Sequence, residues 1–283
     1  MKSESFGVLT PTQIKATASA IQSQQTNSGM ILWFPDGHAD TWNHTEAAMA
    51  LSSSGLVTAA EKAYEWLAKT QREDGSWHHY YIANGIEDAK VDTNCCAYVA
   101  TGVLHHFLNT GDSAFLEEMW PVVRKALNFV VGHQAATGHI PWAIHTSGTP
   151  WSYSLVTGSS SIFHSLRCGI AIANHLDQEQ HEWEFAAVRL QALLIDHEGQ
   201  FEPKRRWAMD WYYPVLTGVL TNEPAVNRLS ERFNEFALQE KGIRCVADQP
   251  WVTTAETCEC AMAFLALGDH ETALDLFQSI QRL

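Results

Sequence analysis

Apolar residues recur along this chain at helical rather than alternating spacing, and the segments they mark come in pairs. In each pair the first segment carries small residues all round: Ala97, Ala100 and Gly102; Cys168, Gly169 and Ala171; Cys260, Ala261 and Ala263. The second is amphipathic, with Glu, Lys and Arg gathered on one face. A helix with small residues all round suits burial, and an amphipathic one suits the boundary between core and solvent. Eleven helices follow from the pattern. The first spans about 10–23, with Pro11 suited to its opening turn. Inner helices open at Asp40, at Asp92, at the serines of 159–161, at Asp210 and at Thr253. Outer ones cover about 58–70, 115–133, 182–197 and 225–239, and the last follows Asp269. The predicted fold is all-α: an (α/α) toroid of five to six helical hairpins, inner and outer layers, in one domain over 1–283. The first helix reads as an outer member without an inner partner, and the chain ends at Leu283 where a Gly turn is due. That predicts an open ring, or one lacking a terminal helix.

A repeated motif closes the outer helices. Gln71-Arg-Glu-Asp-Gly75-Ser-Trp77 ends a helix, turns on a glycine and returns an aromatic side chain to the core. Weaker copies surround Gly29, Gly138, Gly199 and Gly242, which marks a repeat architecture.

Composition narrows the function. With 46% hydrophobic and 18% charged residues, the chain is an ordinary globular protein. Its formal net charge of −14 argues against nucleic acid as a partner. No apolar run is long enough to span a membrane, and the opening Met-Lys-Ser-Glu-Ser-Phe-Gly lacks the apolar core of a leader. Six cysteines fall in Cys-Cys and Cys-x-Cys pairs or singly, which predicts buried, reduced thiols in a cytoplasmic protein. No cofactor is expected. The oligomeric state is left open.

The long loops carry the chemistry. In a toroid they gather at one end, where the first turns of the inner helices offer free N–H groups. Eight of the eleven tryptophans fall in loops or first turns, where tryptophan is usually scarce. The residues expected to bind substrate are His38, Trp42, His44, Trp77, Trp142, Trp151, Tyr153, Trp207, Trp211, Tyr212, Arg244, Asp248 and Trp251. Aromatic faces beside carboxylates and imidazoles are what a sugar needs, although the same aromatics would also serve as a plug for the barrel. Asp40, Asp92, Asp210 and Glu256 are the expected catalytic carboxylates. The aspartates open inner helices, so each is equally suited to N-capping. Glu46 and Glu259 lie in similar runs and read as structural, with Glu256 freer to face a ligand. His38, Asp40 and His44 meet no metal-ligand spacing rule, so no metal is expected.

Two resemblances follow from these residues. Gln71 to Trp77 resembles the QW repeat of the terpenoid cyclase and protein prenyltransferase toroids, which implies the fold more than the chemistry; the cyclase Asp-x-Asp-Asp motif is absent. The runs 115–129, 159–173 and 266–277 resemble helices of the glucoamylase-type six-hairpin glycosidases. In that family a Trp-Glu pair supplies the general acid, and the corresponding place here is Trp142-Ala143. The expected function is a glycoside hydrolase-like enzyme acting on a sugar or glycoconjugate. The alternatives are an isoprenoid-processing enzyme and a non-catalytic toroid binding glycans or protein.

Overall fold

The structure, a computed structural model, describes residues 8–282. The opening residues 1–7, read above as lacking a leader core, and Leu283 lie outside the described residues. Among the described residues eleven α-helices follow one another: α1 (Pro11–Ser23), α2 (Thr41–Ser53), α3 (Val57–Thr70), α4 (Thr93–Thr110), α5 (Ser113–Gly132), α6 (Val156–His175), α7 (His181–Asp196), α8 (Ala208–Leu216), α9 (Asn222–Phe236), α10 (Thr254–Ala266) and α11 (His270–Ser279). Among the described residues, strands are confined to three short antiparallel pairs: β1 (Tyr80–Ile82) with β2 (Gly85–Asp88), β3 (Val91–Asp92) with β4 (Ala143–Ile144), and β5 (Ala237–Leu238) with β6 (Gly242–Ile243). Among the described residues no helix is long and apolar enough to cross a membrane.

The chain divides into two compact units. The first comprises Leu9–Ser154 and Ser165–Leu190, the second Leu155–His164 and the chain from Gln191 onward. In the first unit α2 packs on α3 and α4, α4 on α5, and α3 on α5, the pattern of an inner pair backed by an outer pair. In the second, α8 packs on α9 and α10, and α10 on α11. Ala97, Val99, Ala100 and Val103 of α4 are fully buried, as the small-residue pattern requires.

The glutamine motif is a clasp between successive outer helices. Gln71 donates its side-chain amide to the carbonyl of Gly75 (3.0 Å) and to that of Val122 on α5 (2.9 Å). Gln134 does the same with Gly138 (3.0 Å) and Ala186 on α7 (3.0 Å), and Gln25 with Gly29 (3.1 Å) and Ala59 on α3 (2.8 Å). Two residues past each glycine a side chain enters the core: Trp77, Ile140 and Ile31 are all buried. The copies at Gly199 and Gly242 are something else. Gly199 lies in a 3-10 turn, and Gly242 begins β6. The place that glutamine takes in the clasps is held by Ile195 and Leu238, so the amide that joins turn to neighbour is missing.

Helix starts differ from expectation at two inner helices. α6 begins at Val156, and the amide of Ser159 already donates to the carbonyl of Leu155 (2.9 Å). The serines at 159–161 are therefore buried within the helix rather than capping it; packing overrides the poor helix propensity of Val156-Thr157-Gly158. α8 begins after Trp207, which puts Asp210 in its first turn rather than at its cap.

Candidate active site

Asp40 and Asp92 are the N-caps of α2 and α4 in the first unit. One oxygen of Asp40 accepts from the amides of Trp42 (2.7 Å) and Asn43 (2.9 Å). The other accepts from the indole of Trp33 (2.7 Å) and the side chain of Asn43 (2.8 Å). Four donors saturate the carboxylate and leave it the work of holding a helix start and an indole in place.

Asp92 is different. It caps α4 through the amides of Asn94 (2.9 Å) and Cys95 (3.1 Å), and the Trp142 side chain also donates to it. Burial, the largest influence, pushes its carboxyl above the usual carboxylate range; the Cys95 and Asn94 amides, His79 and Trp142 offset this only in part. Its backbone pairs directly with Ala143 across the β3–β4 ladder. Residues opposed in this way put their side chains on one face, about 5 Å apart. Around it lies an aromatic cluster. Trp142 stacks with Tyr153 (5.8 Å) and meets Trp151 edge-on (4.7 Å), His145 stacks on Trp151 (5.1 Å), and the Lys90 ammonium sits 5.5 Å from the Trp142 ring. The Nε1 of Trp151 and Nδ1 of His79 are buried without a hydrogen-bond partner.

Other expected binding residues of this unit are tied to protein partners. Trp77 is 1% exposed and donates its indole N–H to the Leu67 carbonyl (3.0 Å). His44 is equally buried; it accepts the Ile31 amide at Nδ1 (3.0 Å) and reaches the Ala63 carbonyl through Nε2 (2.9 Å). Those partners require the neutral ring, and burial lowers its pKa to about 4. The unfolded chain takes up this proton at its ordinary value and the folded chain does so only near 4, so stability is lost as pH falls through that window. The loss is expected to be on the order of 3 kcal/mol, read from urea midpoints between pH 7 and pH 4, and His44→Gln should flatten it. Trp42 stacks on Tyr98 (4.5 Å), and both donate to Glu46 (2.9 and 3.2 Å), whose carboxyl is raised by burial. His38 bonds Glu87 (2.8 Å) and stacks on Tyr80 (4.4 Å).

His38, Asp40 and His44 do not converge on one point, since each is committed to different partners. Donor atoms of His79, Asp92 and Cys95 do lie within 4.8 Å of one another. Asp92 and Cys95 come that close simply as cap and third residue of α4, and burial holds the Cys95 thiol well above its usual range.

In the second unit Asp210 accepts from the Thr157 hydroxyl (3.0 Å), and burial raises its carboxyl. Arg228 ties this turn down, bonding the carbonyls of Asp210 (2.7 Å) and Trp211 (3.0 Å) and both oxygens of Glu198. Glu256 is buried rather than free: the hydroxyl of its cap Thr253 and the Cys245 thiol both bond it. Glu259 is held by the hydroxyls of Tyr212 and Tyr213, the counterpart of Glu46 between Trp42 and Tyr98. Trp211 and Tyr212 are fully buried, and the Trp211 indole bonds the Arg228 carbonyl (2.7 Å), so both are core residues. Trp207 and Trp251 are exposed. Asp248 pairs with Arg206 (2.8 Å), and Arg244 bonds the Ala247 carbonyl (3.0 Å) while its Nε is buried without a partner. Phe34, half-exposed beside the loop tryptophan Trp33, is absent from the residues that the sequence suggests; two adjacent aromatics ahead of Pro35 and Gly37 were the available signal.

No protein-family model matches the chain. The chain is 49% identical over 278 residues to the MMP endo-(1,4)-3-O-methyl-α-D-mannosidase of Mycolicibacterium hassiacum, covering 98% of this chain and 77% of that one. Among solved structures it resembles a GH63 mannosylglycerate hydrolase from Thermus thermophilus in complex with glucose, with TM-score 0.72 and 13% identity over 93% of this chain and 89% of the other. It also resembles an α-amylase from Clostridium perfringens, with TM-score 0.73 and 8% identity over 96% and 87%. At such identities the structures establish the fold alone, that of the α/α toroid glycosidases.

Proposed function

We infer the activity from one premise: the chain belongs to the family of the MMP endo-(1,4)-3-O-methyl-α-D-mannosidase, and is a carbohydrate-active hydrolase. Its proposed reaction is hydrolysis of internal (1,4) linkages between 3-O-methyl-α-D-mannose residues. The 49% identity to that enzyme, over 98% of this chain and 77% of that one, carries this reading in preference to the isoprenoid and non-catalytic alternatives.

Within it, Asp92 is the proposed general acid. A carboxyl raised by burial holds its proton to higher pH than an exposed one, which is what protonation of a glycosidic oxygen requires. The six-hairpin glycosidases that the chain resembles carry their acid at the place of Ala143, and here the residue paired with Ala143 across the ladder is Asp92. Trp142, Trp151 and Tyr153 offer ring faces beside it for a pyranose. Asp40, in the same unit, is assigned a positioning role. All six cysteines are free thiols, which supports a place in the reducing cytoplasm.

The test is incubation with α-(1,4)-linked oligosaccharides of 3-O-methylmannose, followed by mass spectrometry. Internal cleavage into shorter oligosaccharides is expected. Release of single end residues only, or no cleavage, would overturn the proposal.

A further inference from the structure

An open groove of about 520 Å³ lies in the first unit between α1, the loop that follows it and α2. That volume is ordinary for a small-molecule site. Its walls include Ile21, Leu32, Trp33 and Phe34, with the amides of Gln24 and Asn43 as polar points. Trp33 is 48% exposed and Phe34 54%, a large apolar area to leave in water.

Both rings are braced. The Trp33 indole donates to Asp40 (2.7 Å), and its backbone amide to the His38 carbonyl (2.9 Å). The amide of Gly37 closes a turn on the Phe34 carbonyl (2.9 Å), with Asp36 in the left-handed region at φ 58°. The Phe34 ring folds onto Gly37 so closely that a Cβ there would come within 2.7 Å of it. His38 meets both rings (4.8 and 5.9 Å) and is itself fixed by Glu87 and Tyr80. Such bracing orders two exposed aromatics that contribute little to the core, and it lowers the entropy cost of binding a ligand between them.

We propose that this groove is a subsite that selects O-methylated sugar residues, with the methyl group seated against Trp33 and Phe34. The proposal rests on the endo-mannosidase reading above. Methylation turns a hydroxyl, which both donates and accepts, into an ether with an apolar cap. An unmethylated mannose would strand that hydroxyl against apolar walls, whereas the methylated one buries its methyl there and leaves the remaining hydroxyls to the two amides. Asp40 links the subsite to the body of the unit, because one carboxylate caps α2 and holds the Trp33 indole.

The experiment is calorimetric titration of the full chain with two non-hydrolysable, sulfur-linked α-(1,4)-mannose tetrasaccharides, one 3-O-methylated and one not. Wild-type protein is expected to bind the methylated one about tenfold tighter, the combined effect of one buried methyl group and of a hydroxyl no longer stranded against apolar walls. Trp33→Ala and Phe34→Ala are each expected to bring that preference to about threefold or below. Phe34 is exposed, so its variant folds even if loss of the Trp33–Asp40 bond disturbs α2. Equal wild-type affinities, or an unchanged preference in both variants, would overturn the subsite. Oligosaccharide cleavage is scored separately. Protein that prefers the methylated ligand but cleaves none overturns the reaction and keeps the subsite; protein that cleaves it with a preference untouched by either variant does the reverse.

Discussion

Replacing Asp92 with Asn is expected to lower kcat/KM on 3-O-methylmannose oligosaccharides by about a thousandfold without unfolding the protein. Asn caps a helix about as well as Asp, so the bonds to the amides of Asn94 and Cys95 survive. What is lost is the proton. The wild-type carboxyl is raised by burial, so it stays protonated at pH values where an exposed aspartate would be ionised. Its kcat/KM should therefore fall as pH rises through that raised value, and the residual rate of Asp92→Asn should lack this limb. Stability supplies an independent check. A carboxyl whose folded value is raised favours the fold most below its unfolded value, and that contribution is lost as pH rises through the folded one. Asp92→Asn removes the effect, so its melting temperature relative to wild type should improve as pH rises across that window. Loss of activity with no such crossover would mean that Asp92 acts only as a cap.

Gly75→Ala is expected to cost roughly 3–5 kcal/mol of stability, the sum of backbone strain and a steric clash. Gly75 has φ 93°, where an alanine is strained, and its Cβ would lie 2.3 Å from the Lys125 carbonyl of α5. The clasp leaves no slack, because Gln71 already bonds both Gly75 and the same helix. Gly55→Ala separates the two contributions. Gly55 has φ 79° but nothing within 4 Å of the added carbon. Only the strain of about 1–2 kcal/mol should appear there. Urea unfolding of the two variants reads the difference. Equal losses would show that the clasp yields, and that the approach of turn to helix is not a structural constraint.

The toroid and the order of helices were legible in residues such as Gln71, Gly75 and Trp77, and the resemblance to glycosidases in the runs 115–129, 159–173 and 266–277, because helical spacing, caps and breakers act locally. The candidate site was legible only in part. Asp40 and Asp92 look alike in sequence, each opening an inner helix, yet Trp33 and Asn43 saturate the first while burial raises the second. Trp77, Trp211 and Tyr212 look like loop aromatics, yet they are core. Glu256 reads as freer than Glu259 to face a ligand, yet Thr253 and Cys245 both bond it. Local signals specify where a helix starts and stops and which face is apolar. Whether a carboxylate is saturated by four donors or raised by burial depends on residues distant in sequence, and the pairing of Asp92 with Ala143 across 51 residues is set by tertiary packing alone.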